Sequence, residues 1–198
     1  RTIGDIAGAS PDFLKQLFGI VGVGIWAYAS GNDTSRVAPA DYEVPIKSIG
    51  HGITCVQDLE NTEEVWKVML QLSQDIGHKL RRNSFLARGV QITIKDNKLA
   101  WNQYQAQLEI PTQSPMEFAG RARRLFEQRY DWHLPVRSVT VRAINLIPAS
   151  QPVQMLLFDD PVKREKREKL EDAIEDIRAR FGKGAIYNAC LMGDLKMP

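Results

Sequence analysis

Three stretches of this chain place hydrogen-bond donors at every second residue. Gln91, Thr93 and Lys95 alternate with Val90, Ile92 and Ile94. Ser138, Thr140 and Arg142 alternate with Val139, Val141 and Ala143, and Gln103, Gln105 and Gln107 with Tyr104, Ala106 and Leu108. Side chains two apart in an extended chain share one face, so each stretch reads as a strand with one apolar and one donor-rich side. Hydroxyls, amides and isolated cations on a common surface suit phosphate oxygens, which they hold without reading any base. Lys47-Ser48-Ile49-Gly50 adds small residues whose backbone N–H groups an anion can approach closely. Arg88 and Arg137 stand at the entries to two of the stretches and would flank the surface. The competing reading is an ordinary solvated sheet face.

A second kind of chemistry lies at Gln154-Met155-Leu156-Leu157-Phe158, between Pro152 and Pro161. A short apolar run outside any periodic segment is poorly placed as core. It suits a peptide that docks in a partner's groove, with Gln154 hydrogen bonding and Leu157 and Phe158 filling a pocket. The alternative is an anchor folding back on its own domain.

Catalytic groupings are absent from the sequence pattern. His51, His78 and His133 lack metal-ligand spacing with Cys or carboxylates. Gly19-Ile20-Val21-Gly22-Val23-Gly24 follows no strand and has neither the dinucleotide nor the phosphate-loop spacing, so it reads as a helix junction. No carboxylate pair stands at a strand end to hold two magnesium ions. The segment is expected to be non-catalytic by itself and to carry no cofactor. Cys55 and Cys190 are far apart and read as free thiols of a reducing compartment.

The donor-rich strands need a scaffold, and the flanking sequence supplies one. Residues 1–31 read as short helices: Thr2 caps the first, Ser10-Pro11 opens the second, and Phe13, Leu14, Leu17 and Phe18 give it an apolar face. Residues 32–46 are extended, with Pro39 and Pro45. A strand over 47–55 precedes a long helix opened by Asn61-Thr62-Glu63-Glu64, with Val65, Met69, Leu72, Ile76 and Leu80 as its stripe. Strands over 87–95 and 100–110 flank a turn at Asp96-Asn97-Lys98. Thr112 or Ser114 caps a helix to about Tyr130, and a last strand covers 135–147. The order β-α-β-β-α-β predicts an α+β fold: a split β-α-β domain whose four-stranded antiparallel sheet has two helices on one face. After a linker, residues 161–181 form a highly charged helix with Leu170, Ile174, Ile177 and Phe181 as its apolar stripe. A short strand-like piece over 185–192 and a disordered end are expected. The organisation predicted is a helical segment 1–35, a linker 36–46, a domain 47–148, a linker 149–160, and a charged helix and tail 161–198.

Composition narrows the class of partner. Of the 198 residues, 43% are hydrophobic and 25% charged, as in ordinary globular proteins. No run approaches the roughly 20 apolar residues of a membrane span, and without a signal peptide a cytoplasmic location is expected. The chain starts Arg1-Thr2-Ile3-Gly4 inside a helical pattern, as a piece of a longer protein would. Net charge is +2, unevenly spread: residues 47–147 hold fourteen Lys or Arg against ten Asp or Glu, while 1–46 hold three against five. The basic block is the strand-rich one, a modest pointer to a polyanion.

Several of these segments together resemble one family. Thr2-Ile3-Gly4-Asp5-Ile6-Ala7, Lys47-Ser48-Ile49-Gly50, Ala87-Arg88-Gly89-Val90, Pro111-Thr112, Pro135-Val136-Arg137 and Gln154-Met155-Leu156-Leu157-Phe158 stand in the order found in the C-terminal third of bacterial Y-family translesion DNA polymerases, the DinB- and UmuC-like group. The resemblance implies a thumb remnant at 1–31, a little-finger domain at 47–147 and a sliding-clamp-binding peptide at 154–158. It implies a monomer acting in DNA repair and the SOS response, on template–primer duplex. The parent would use magnesium held by segments outside this chain. Lys47, Ser48, Ile49, Gly50, Arg88, Gln91, Thr93, Lys95, Arg137, Thr140 and Arg142 would position the duplex. Two departures stand out: His51-Gly52 after the Ser-Ile-Gly, and Tyr104-Gln105 where relatives often carry Arg-Ser. Two other classes remain open, a non-catalytic adaptor for the clamp and a split β-α-β RNA binder. The RNA binder would want exposed aromatics on the middle strands, where only Trp101, near a strand end, is available.

Overall fold

The computed structural model describes residues 2–42, 44–154 and 160–198. Backbone contacts divide the chain into two compact units, Arg1–Val44 and Pro45–Pro198. The first holds helices α1 (Ile3–Ala7), α2 (Pro11–Phe18) and α3 (Ile20–Ala29). Thr2 and Asp5 cap α1 reciprocally, each side chain accepting from the other's backbone N–H. Ser10 precedes α2 without a capping side-chain bond, so that start rests on the preset φ of Pro11. At Gly22 a Cβ would lie 2.1 Å from the Leu14 carbonyl oxygen, so α2 and α3 meet backbone to backbone. Trp26 Nε1 donates to the Ala7 carbonyl at 3.2 Å and ties α3 to α1. Of the apolar face expected on α2, Leu14 is buried, whereas Phe13, Leu17 and Phe18 are exposed.

The second unit is built on strands β1 (Ile49–Leu59), β2 (Phe85–Asp96), β3 (Trp101–Thr112) and β4 (Val136–Pro148), with helices α4 (Thr62–Arg82), α5 (Pro115–Arg129) and α6 (Pro161–Phe181). The sheet is fully antiparallel in the order β1-β4-β2-β3. Strands β1 and β2 run the same way and cannot be neighbours by a tight turn; α4 crosses between them and β4 fills the gap. The Asn61 side chain accepts from the Glu64 N–H and starts α4. The predicted stripe Val65, Met69, Leu72, Ile76 and Leu80 is buried, together with Val68. It packs with Phe118, Ala122, Leu125 and Phe126 of α5 on Val90, Ile92, Ile94, Val139 and Val141. Burying side chains of this size contributes about 1.5–3 kcal/mol each. At Gly77 a Cβ would fall 2.6 Å from Pro115 Cγ and 3.0 Å from the Gln113 carbonyl, which lets the start of α5 lie directly against α4.

Three expectations fail beyond β4, and for the helix the reason is that charge rather than apolar surface docks it. Helix α6 faces the body through Arg164, Arg167, Glu171, Glu175 and Arg178. Arg81 pairs with Glu171 and Asp172, Glu117 with Arg167, and His78 Nδ1 lies 2.6 Å from Glu175. Arg178 donates to Gln74 at 3.0 Å and Ser114 to Glu171. No residue of α6 is fully buried, and Leu170 and Phe181 of the expected stripe are 61% and 75% exposed. The strand expected over 185–192 is instead two short 3-10 turns, Lys183–Ala185 and Ala189–Leu191. The end of the chain is docked: Leu191 packs on Leu70 and Ala119, and Lys196 Nζ reaches Glu64 at 2.9 Å and the Asp58 carbonyl at 3.1 Å. Helix α6 and Leu191 lie against α4 and α5, and Lys196 lies at the edge strand β1.

Two glycines in the helices should respond oppositely to alanine. Gly77→Ala should destabilise by about 1–3 kcal/mol because its methyl overlaps Pro115. Gly120, which has open space around its Cβ position, should gain about 0.5–1 kcal/mol as alanine. Urea unfolding midpoints of the two variants measure both signs.

Candidate nucleic-acid interface

The face of the sheet turned away from α4 and α5 is a grid. Strand register aligns Gly50, Arg142, Gln91 and Gln105 in one row, and Gly52, Thr140, Thr93 and Gln103 in the next. A third row holds Thr54, Ser138, Lys95 and Trp101. Six of the expected residues, Gly50, Gln91, Thr93, Lys95, Thr140 and Arg142, therefore share one surface. No carboxylate stands in the three rows.

The glycines of β1 shape this surface. A Cβ at Gly50 would meet Arg142 Cβ and Cγ at 3.2 Å and Nε at 3.3 Å, so the Arg142 side chain lies across the edge strand. At Gly52 a Cβ would sit 2.2 Å from Thr140 Oγ1. The missing side chains leave an open trough of about 560 Å³ along β1 and β4, lined by Ser48, Thr54, Ser138, Thr140 and Arg142. Among the described residues Lys47, Arg88, Lys95 and Arg142 have no ion-pair or hydrogen-bond partner. Their donors are thus available to an anionic ligand, unlike those of Arg81 of α4 and of Arg167 and Arg178 of α6, which are paired where that helix docks. Ser138 Oγ donates to the Ile53 carbonyl at 2.8 Å, which leaves it an acceptor on this face. Gln91 is 9% exposed, hemmed in by its neighbours in the central strand.

Other expected residues stand apart from the grid. Ile49 is buried in the core, so only its backbone faces outward. Arg137 donates to the Asp58 carboxylate at 3.3 Å and to the Val56 carbonyl at 3.5 Å, because an irregularity of register near Val136 takes it out of the alternation. Lys47 and Ser48 are exposed just before β1. Arg88 is exposed at a bulge between Ala87 and Gly89. It lines a separate depression with Glu109, Ile147 and Gln154. Gln154 is exposed, and the remainder of the docking run, Met155, Leu156, Leu157 and Phe158, lies outside the described residues. The sequence reading passed over Gly52 and Thr54 as site members, although the period-two spacing of Gly50, Gly52 and Thr54 was a signal for them. His51 belongs to the opposite, core side, where Nδ1 lies 2.9 Å from Asp75 of α4. Burial raises the Cys55 thiol pKa above its usual value, against the pull of Arg137, which disfavours the thiolate.

Among the described residues no group of three His, Cys, Asp or Glu side chains could hold a metal ion. No described helix is long and apolar enough to cross a membrane.

Comparison with known proteins gives the family and the fold. Residues 46–157 match the impB/mucB/samB family C-terminal domain. A DNA polymerase IV of Acetivibrio thermocellus is 38% identical over 193 residues, 98% of this chain and 48% of that protein. The DNA polymerase IV of Desulfatibacillum aliphaticivorans is 32% identical over 98% of this chain and 48% of its own length. DNA polymerase IV 2 of Bacillus subtilis is 31% identical over 95% and 45%. The chain thus spans about half the length of these relatives. A solved Y-family DNA polymerase chimera shares the fold with a TM-score of 0.55, at 14% identity over 75% of this chain and 42% of that one.

The seat of Thr140 on Gly52 predicts a coupled pair. Gly52→Ala should cost about 1–3 kcal/mol, and adding Thr140→Ala should recover part of the loss, since both atoms beyond Cβ that crowd the new methyl are gone. A double-mutant cycle from chemical denaturation reads the coupling directly.

Proposed function

The chain belongs to the impB/mucB/samB family, the C-terminal domain of Y-family DNA polymerases, and we propose that its sheet grips template–primer duplex for a parent enzyme of translesion synthesis. Residues 154–158 tether that parent to the sliding clamp. The observation that supports the grip most directly is the uncovered grid of Thr140, Thr93, Lys95 and Arg142, with its trough over Gly50 and Gly52. Donors without carboxylate neighbours attract phosphates, and their spacing across antiparallel strands offers several contacts to one backbone. Such contacts position a duplex and leave its sequence unread, which suits an enzyme that must travel over any template. The central rows present amides and hydroxyls rather than aromatic rings, which disfavours base stacking of the kind an RNA-binding sheet uses.

Binding of a primer–template duplex should weaken steeply with salt and vary little with sequence. Each phosphate contact contributes a log–log slope of about 0.9, so Arg142→Ala and Lys95→Ala should each flatten the slope by about that amount. Fluorescence anisotropy across a salt series checks this; salt-independent binding, or variants with unchanged slopes, would remove the grip from the sheet.

For the tether, a peptide covering residues 151–161 should bind the bacterial sliding clamp, and Phe158→Ala should cost about 2–4 kcal/mol of affinity. Calorimetry on the two peptides decides it. Equal affinities would dismiss the motif.

A further inference from the structure

The third row of the grid ends in an aromatic ring that no part of the fold uses. Trp101 pairs with Lys95 across the β2–β3 hairpin and is 64% exposed. Each of the other three tryptophans has a structural contact. Trp26 donates to the Ala7 carbonyl, Trp66 packs at the Leu70 cluster under the Arg123 guanidinium, and Trp132 meets Phe126 and Tyr130 edge-on at 5.5 Å.

The turn beside Trp101 is built to hold its shape. Asp96 Oδ1 accepts from the N–H groups of Lys98 at 2.8 Å and Ala100 at 3.0 Å, and the Asp96 carbonyl accepts from Leu99 N–H at 3.1 Å. The Asn97 N–H donates to the Pro135 carbonyl at 3.1 Å and pins the turn to the segment before β4. These bonds hold Leu99 at φ +70°, a left-handed conformation unfavourable for a leucine, and leave its side chain 62% exposed. The ammonium groups of Lys95 and Lys98, on either side, have no partner among the described residues. A fixed tip with an exposed indole, an exposed leucine and two free cations stands where a row of phosphate donors runs out.

We propose that this tip reads the end of the duplex, with Trp101 stacking on an unpaired nucleobase where double strand gives way to single strand. The inference rests on the sheet being a DNA surface and adds a preference that the phosphate grid cannot supply. Bases inside a duplex are covered above and below by their neighbours, so an indole finds a free base face only at an unpaired or terminal nucleotide. Lys95 and Lys98 hold the backbone of that strand beside the ring. Stacking is tolerant of base identity because every base has a π-face.

The test compares three DNA ligands with the whole chain: a blunt duplex, the same duplex with a short single-stranded overhang, and that overhang made of abasic nucleotides. The abasic strand keeps every phosphate and loses every ring. The wild-type chain should prefer the base-bearing overhang to the abasic one by roughly 5- to 100-fold. Trp101→Ala and Trp101→Leu should bring that ratio to about one, and Trp101→Phe should retain most of it; thermal melts verify that each variant is folded. Equal affinity of the wild type for base-bearing and abasic overhangs, with the blunt duplex still bound, overturns the stacking role and leaves the sheet-face reading intact. So does a ratio that survives in Trp101→Ala and Trp101→Leu. A wild-type chain that binds none of the three ligands overturns the sheet-face reading and this inference with it.

Discussion

Helices α4 and α5 are enough to roof one side of a four-stranded sheet, and everything proposed for the other side depends on that one-sided packing. Period-two geometry converts it into a sorting rule. Once Val90, Ile92, Ile94, Val139 and Val141 are drawn under the helices by burial of apolar surface, Gln91, Thr93, Lys95, Thr140 and Arg142 have no choice of face. A slip of one residue in β2 or β4 would exchange the two sets and place Lys95 or Arg142 in the core. The hydrophobic core thus fixes the position of every donor on the far side without touching it.

Glycine completes that arrangement at the sheet's edge. With any side chain at position 52, Thr140 would have to move; at position 50 Arg142 would have to give by a few tenths of an ångström. The flat margin of β1 is what allows an arginine to lie across the strand instead of standing upright. The residues that look least chemical in the sequence therefore decide how the most chemical one is presented.

Much of this was legible in the residues and some was not, and the dividing line is physical. The α4 stripe and the alternation in β2 and β4 could be read because burial acts on them locally and repeatedly. Arg88 and Arg137 could not be placed from the residues because each sits at a break in register, which depends on the partner strand: Asp58, far away in the chain, claims Arg137. Helix α6 was readable as a helix, but its orientation was not. Leu170 and Phe181 suggested an inward apolar face, whereas Arg81, Glu117 and His78 on other helices select the charged one. Reading that choice needs the charges of the surface opposite, and those are set by the fold.

The docked end of the chain has a consequence of another kind. Strand β1 is an outer strand, and an outer strand carries unpaired backbone groups that can recruit a strand from a second molecule. Here the Val56 N–H already donates to the Lys196 carbonyl at 2.8 Å, and Lys196 Nζ occupies the Asp58 carbonyl. The tail thereby takes up backbone groups of β1 at the stretch where the regular ladder with β4 is interrupted, and a strand from a second molecule would have to displace it to pair there.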